Sequence, residues 1–532
     1  MTKVSAHALY AIVTGCLVGA CVERPATDDT ASSTYTERHR PRFHFSPPEK
    51  WMNDPNGMVY YDGEYHLFYQ HYPDSTVWGP MHWGHAVSTD LVHWQHLPIA
   101  LYPDELGYIF SGSAVVDWGN TTGFGSPDNP PLAAVFTYHS VEGERAGRTN
   151  YQTQGIAYST DRGRTWTKYT GNPVIANPGI RDFRDPKVIW HEDSGQWVMV
   201  LAAYDHVQLW GSADLKSWEH LSDFGREWGA HEGAWECPDL FPMTVEGTGE
   251  EKWVLLQSLN PGGPNGGSGT QYFVGDFDGR YFTLDPAFAA DVDDRQGVWL
   301  DYGRDNYAGV TWSDVPAADG RRLFLGWMSN WNYAQVVPTV TWRNAMTVPR
   351  SLKLRNTVRG YRLFTHPVEE LQALRTVSYA LAPETIAASL DITERFVVVA
   401  AQAELTLEIE WRPDLHFGIE LSNEIGDAYR IGYRAPDDQF YSDRTGAGRN
   451  DFSTDFAASV HTAPRQVQTD TLRLHLLIDV ASVELFADDG ATVMTETFFP
   501  REDFTRIRLY SEGGDTRLIR GSVHSLRTIW NR

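Results

Sequence analysis

The 532-residue chain is short of several things, and each shortage removes a class of function. Three cysteines are too few for a disulfide framework. Lys and Arg number 44 against 69 Asp and Glu, a formal charge of −25, whereas a nucleic-acid partner demands a cationic face. The apolar N-terminal run, Ala8 to Ala20, is thirteen residues long, well under the ~20 that a bilayer-spanning helix needs. Helical periodicity is scarce too: no long segment from Arg40 to about Leu363 repeats its apolar residues every ~3.6 positions.

The first twenty residues read as an address. Lys3 precedes the Ala8–Ala20 stretch, the arrangement of a secretory signal peptide. Val18-Gly19-Ala20-Cys21 resembles the lipobox of bacterial lipoproteins, in which the cysteine is lipidated and becomes the new N-terminus. Val13-Thr14-Gly15-Cys16 is a second, earlier match. Residues 1–20 are therefore expected to be a lipoprotein-type signal, Cys21 the lipidation site and residues 21–39 a flexible polar tether. The expected location is outside the cytoplasm, anchored in the periplasm or at the cell surface, with secretion as the alternative. Membrane contact is expected only through the lipid.

What the chain has in abundance is aromatic: 20 Trp, 25 Tyr and 24 Phe, residues that favour strands and offer flat faces to sugar rings. Short apolar runs such as Ala133-Ala134-Val135-Phe136 and Val198-Met199-Val200-Leu201 are punctuated by Gly, Pro, Asn and Asp, the spacing of an antiparallel all-β fold. A weak repeat narrows this. Ser88-Thr89-Asp90-Leu91-Val92-His93-Trp94 matches Ser212-Ala213-Asp214-Leu215-Lys216-Ser217-Trp218, and Ser159 to Trp166 is a third copy with one extra residue. Turns that recur on this scale suit propeller blades with long loops, so residues 40–363 are read as a five-bladed β-propeller. A short helical segment follows at Pro367 to Arg375, within a linker over residues 364–377. From Ser378 the pattern becomes two-residue alternation, with Asp488-Asp489-Gly490 placed as a hairpin turn. Residues 378–532 are expected to form a β-sandwich.

Three acids stand out. Asp54 lies in Trp51-Met52-Asn53-Asp54-Pro55-Asn56-Gly57, a stretch too rich in turn formers to be the middle of a strand and explicable as turn chemistry alone. Asp185 follows Arg184 and precedes Pro186, which fits either a surface ion pair or a cation holding a carboxylate ionised. Glu236 sits between Trp235 and Cys237, an apolar setting that would raise its proton affinity as a general acid requires. Each is expected in a Pro-rich loop just before a strand.

Together these motifs resemble the signatures of glycoside hydrolase family 32, which contains invertases, levanases and exo-inulinases. His82-Trp83-Gly84-His85, Phe110-Ser111-Gly112-Ser113, Leu300-Asp301-Tyr302-Gly303, Gly326-Trp327-Met328-Ser329-Asn330 and Ser482-Val483-Glu484-Leu485-Phe486 are similar to family segments in the same order. The resemblance implies a five-bladed propeller followed by a sandwich, and a retaining, exo-acting hydrolase of terminal β-D-fructofuranosyl units. Fructans, either levan or inulin, and sucrose are the implied substrates. By similarity Asp54 would be the nucleophile, Glu236 the acid/base and Asp185 the residue that grips the ring hydroxyls. The carboxyls of Asp54 and Glu236 would then lie ~5–5.5 Å apart. Trp51, Asn53, Gln70, Trp78, Phe110, Ser111, Arg184 and Trp327 are the implied substrate contacts. No cofactor is implied. Fructosyl transfer from the same intermediate, or fructan binding without cleavage, are the competing outcomes.

Other signals are set aside. His82, His85, His93 and His96 have zinc-like spacing, but a turn lies between the two pairs and structural tryptophans flank them, so no metal is expected. Asp276, Asp278, Asp291, Asp293 and Asp294 lack the spacing of a calcium loop. Gly262 to Gly269 has no Lys-Ser/Thr after it and is read as a rim loop rather than a phosphate cradle.

Overall fold

The computed structural model describes residues 35–292 and 296–530. The signal sequence, the lipidation site expected at Cys21, and Asp293 and Asp294 lie outside the described residues.

Among the described residues five sheets, antiparallel but for one short strand, follow one another along the first two thirds of the chain. Their innermost strands are Lys50–Tyr61, Tyr108–Val116, Phe183–His191, Ala234–Thr244 and Tyr307–Thr311. Each inner strand touches the next, and the fifth touches the first, so the blades close into a ring. A two-residue strand at Trp342–Arg343 pairs parallel with Lys50 and Trp51, adding a late stretch of chain to the first blade. The repeated Ser-x-Asp turns end the third strand of blades one, two and three. In each, the Asp carboxylate accepts backbone N–H groups across the turn while the next residue (Leu91, Arg162 or Leu215) takes the left-handed conformation.

All five inner strands break register with the strand beside them. The breaks fall between Met52 and Pro55, Ile109 and Gly112, Arg184 and Lys187, Glu236 and Asp239, and Tyr307 and Val310. A β-bulge inserts a residue, bends the strand and re-aims side chains. It also corrects the loop expectation for the acids: Asp54, Asp185 and Glu236 all lie inside inner strands. Pro55 is tolerated because the ladder is already interrupted there. Asp185 and Cys237 hold positive φ of 62° and 46°, a conformation that non-glycine residues adopt rarely.

The last blade strand runs Gly360–Pro367, so residues 364–367, expected in the linker, complete the propeller instead. A 3₁₀ helix at Glu369–Leu374 buries Leu371 and Leu374, and the strand Arg375–Leu381 already belongs to the second domain. Two sheets of seven and six strands face each other there around Leu405, Leu407, Phe417, Ile419, Leu476, Leu485 and Leu509. The expected hairpin joins Ser482–Ala487 to Thr492–Thr497. Its Gly490, at φ 80°, lies so close to blade five that a Cβ would fall 1.9 Å from the carbonyl oxygen of Thr365. Only glycine fits that approach.

Residues 35–39, expected in the tether, are docked. Tyr35 stacks on Trp530 at 3.9 Å and its hydroxyl meets His96 at 2.8 Å. Arg40, fully buried, sits over the rings of Tyr35 and Trp342. Beyond them a buried polar cluster ties the N-terminal segment to the sandwich. His44 bridges Asp479 and Glu484 at 2.8 and 2.9 Å, and Glu484 also accepts from Val348 N–H and from Arg350. Among the described residues no helix is long and apolar enough to cross a membrane.

Candidate active site

One end of the ring opens into a cavity of about 250 Å³. Asp54, Asp185 and Glu236, brought from the first, third and fourth inner strands, all line it. Asn53, Gln70, Trp78, Phe110, Ser111 and Arg184 line it as well.

Neutral donors hold Asp54. Ser111 Oγ donates to Oδ2 at 2.7 Å and the Asn53 amide to Oδ1 at 3.0 Å. Asn53 is itself aimed by Trp51, whose indole N–H donates to Asn53 Oδ1 at 2.7 Å. Burial, reinforced by the nearby charge of Glu236, raises the pKa of Asp54, and the two hydrogen bonds oppose that rise. Asp185 accepts from the backbone N–H of Cys237 at 3.1 Å. Burial pushes its pKa up to about 7 in spite of Arg184, 3.8 Å away. The Cys237 thiol lies 3.7 Å from Asp54 Oδ2 and 3.6 Å from Asp185 Oδ2. Burial and these carboxylates push the thiol well above its ordinary range, so it stays protonated between them as a donor.

Glu236 has a different company. Arg184 donates to Oε1 from Nη2 at 2.7 Å and from Nε at 3.2 Å, and the Tyr307 hydroxyl donates to Oε2. Gln257 fixes the backbone by donating to the Glu236 carbonyl at 2.8 Å. Arg184 is kept charged by Glu236, Asp182 and Asp185 against the opposing effect of burial. The cavity thus holds one carboxylate surrounded by neutral donors and another gripped by a cation and a phenol. Such a pair can act as nucleophile and proton carrier on opposite sides of an acetal.

Two expected contacts are corrected. Trp51 and Trp327 are fully buried behind the wall and do not line the cavity. Trp331, packed on both at 6.0 and 4.9 Å between ring centroids, lines it in their place. Sequence reasoning did not single out His139, Glu144, Gln152, Asp182, Trp331 and Gln335, which also line the cavity, or Tyr307, which holds Glu236. Trp331 directly follows the family-like Gly326–Asn330 segment, the signal that could have found it, whereas Tyr307 stands four residues beyond the Leu300–Gly303 segment. His139 and Gln152 meet as cross-strand partners, which linear spacing does not reveal.

The four histidines with zinc-like spacing go to separate partners. His82 meets the Pro80 carbonyl, His85 meets His66, His93 meets Asp90 and His96 meets Tyr35. Among the described residues no three His, Cys, Asp or Glu side chains gather as a metal site.

Comparison with known proteins places these features in one family. Residues 44–367 match the glycosyl hydrolases family 32 N-terminal domain and residues 370–526 the family 32 C-terminal domain. The chain is 45% identical to a levanase of Bacillus subtilis (strain 168) over 512 residues, 95% of this chain and 73% of the relative. It is 38% identical to an extracellular exo-inulinase of Aspergillus ficuum, covering 93% and 96% of the two chains. The crystal structure of an exo-inulinase from Aspergillus awamori superposes with a TM-score of 0.85 at 35% identity, over 93% of this chain and all of that one. The protein is a glycosidase, and it belongs to glycoside hydrolase family 32.

Proposed function

We propose that the protein is a retaining, exo-acting β-fructofuranosidase that removes terminal fructosyl units from fructans and also accepts sucrose. The observation that carries this reading is the pairing of Asp54 with Glu236 across one cavity, each in a distinct hydrogen-bonding environment. Ionised Asp54 attacks the anomeric carbon and forms a fructosyl ester. Glu236 gives its proton to the leaving oxygen and later takes one from water. Asp185 orients the ring hydroxyls, and the Cys237 amide in turn orients Asp185. The names of the relatives, levanase and exo-inulinase, support fructans as the polymeric substrate. The N-terminal pattern supports export with acylation at Cys21, which palmitate labelling lost in Cys21→Ser would test.

Chromatography of products from levan, inulin and sucrose is the direct test. Fructose alone is expected from both polymers, released first as the β-anomer by NMR, with Asp54→Asn inactive. A ladder of oligomers would remove exo attack; an initial α-anomer would remove the covalent intermediate; full activity in Asp54→Asn would remove the nucleophile.

A further inference from the structure

In blade two, the cavity wall carries groups that the three acids leave unused. Contacts run from Glu236 through Arg184 to Asp182, and the Tyr151 hydroxyl donates to Asp182 at 3.1 Å. Tyr151 meets the ring of His139 edge-on at 5.4 Å, and Phe110 stacks flat on the same ring at 4.2 Å. The amide nitrogen of Gln152 lies 3.2 Å from His139 Nδ1, and Glu144 lies 3.2 Å from His139 Nε2. Glu144 stands on a five-residue helix, Val141–Arg145, inserted between the second and third strands of blade two and capped by Ser140.

Two facts mark this wall as facing a ligand. Gln152 is only 1% exposed and lines the cavity, yet its amide oxygen has no hydrogen-bond partner among the described residues. A buried acceptor left unpaired is destabilising, and a hydroxyl supplied from the cavity would offset that cost. Glu144 lines the same cavity with its side chain 53% exposed, so a carboxylate is presented to whatever enters.

We infer that Glu144 and Gln152 receive the second fructosyl unit, the one on the leaving side of the scissile bond. The inference rests on the β-fructofuranosidase reading above. Glu236 protonates the leaving oxygen, so the unit that carries this oxygen lies beside Glu236, and the contacts through Arg184, Asp182 and Tyr151 join Glu236 to this wall. A neutral ring offers hydroxyl donors, and a carboxylate beside an unpaired amide oxygen offers acceptors. The group recognised is a fructosyl chain, as opposed to any β-fructoside with an apolar leaving group.

The test compares kcat/KM on β-2,1- and β-2,6-linked fructose disaccharides with kcat/KM on p-nitrophenyl β-D-fructofuranoside, whose leaving ring has no hydroxyl other than the one released. In Glu144→Ala the disaccharide-to-aryl ratio is expected to fall about tenfold, mainly through KM, with partial recovery in Glu144→Gln. Gln152→Leu should lower the same ratio; if it does not fold, the two Glu144 variants, on a short helix with an exposed side chain, still decide the matter. A ratio within twofold of wild type in both Glu144 variants overturns the inference, as does an equal loss on both substrate types. A wild-type protein that cleaves neither substrate overturns the fructosidase reading itself, and this inference with it.

Discussion

Arg184 places two nitrogens on a single oxygen of Glu236, at 2.7 and 3.2 Å, and sends its third to Asp182. With Tyr307 on the other oxygen, both ends of the carboxyl group are fixed before any substrate enters. That preorganisation depends on the planar fork of the guanidinium, which an ammonium cannot reproduce. Arg184→Lys should therefore lower kcat/KM by about 100-fold on every fructoside, corresponding to ~2.7 kcal/mol of lost transition-state stabilisation. Steady-state kinetics on sucrose and on an aryl fructoside, beside a thermal melt to show that the variant folds, would check it. A loss of less than threefold would mean that charge alone, without the fork, is enough.

The acid limb of the pH profile belongs to Asp54, which attacks only when ionised. Burial and the Glu236 charge raise its pKa, and Ser111 and Asn53 hold it down by bonding to the charged form. The acid limb of kcat/KM should accordingly lie above the ordinary Asp value of ~3.9. Removing one hydrogen bond to a charged group costs ~1.5 kcal/mol, about one pKa unit, and it weakens the ionised form alone. Ser111→Ala is expected to move the acid limb upward by about one pH unit. A limb that stays in place, or moves to lower pH, would detach Ser111 from the titration.

The sequence carried the fold through its repeats and turn residues, and the three acids through their motifs. It did not carry which neighbours face the cavity, for a physical reason. In a regular strand adjacent side chains point to opposite faces, so parity predicts orientation. Here Asn53 and Asp54, Phe110 and Ser111, and Arg184 and Asp185 are adjacent pairs of which both members line the cavity, because a bulge breaks parity at each pair. Counting residues from Asp54 or along the Gly326–Asn330 segment could not place Trp51 and Trp327 behind the wall or bring Trp331 into it. The Glu144 wall needed pairing between two strands of blade two and so was invisible to any linear motif.

The junction of the two domains should fail in alkali before the blades do. His44, wholly buried, is depressed by burial, but its bonds to Asp479 and Glu484 more than reverse this and lift its pKa to about 9. An unfolded histidine titrates near ~6.5. A folded pKa above the unfolded one stabilises the protein fully below pH ~6.5, and that stability is lost as pH rises through about 9. The group is buried and paired, so the loss is on the order of 3 kcal/mol. The neutral ring would also leave Glu484 leaning on Arg350 alone among its charged partners, and Asp479 on backbone N–H groups. In His44→Gln the two carboxylates keep a neutral donor, and this pH-dependent contribution is absent. Melts from pH 6 to pH 10 should show the wild type losing its advantage over His44→Gln across that window. Parallel curves for the two proteins would show that His44 is already neutral when folded, and the bridge would then be a purely hydrogen-bonded one.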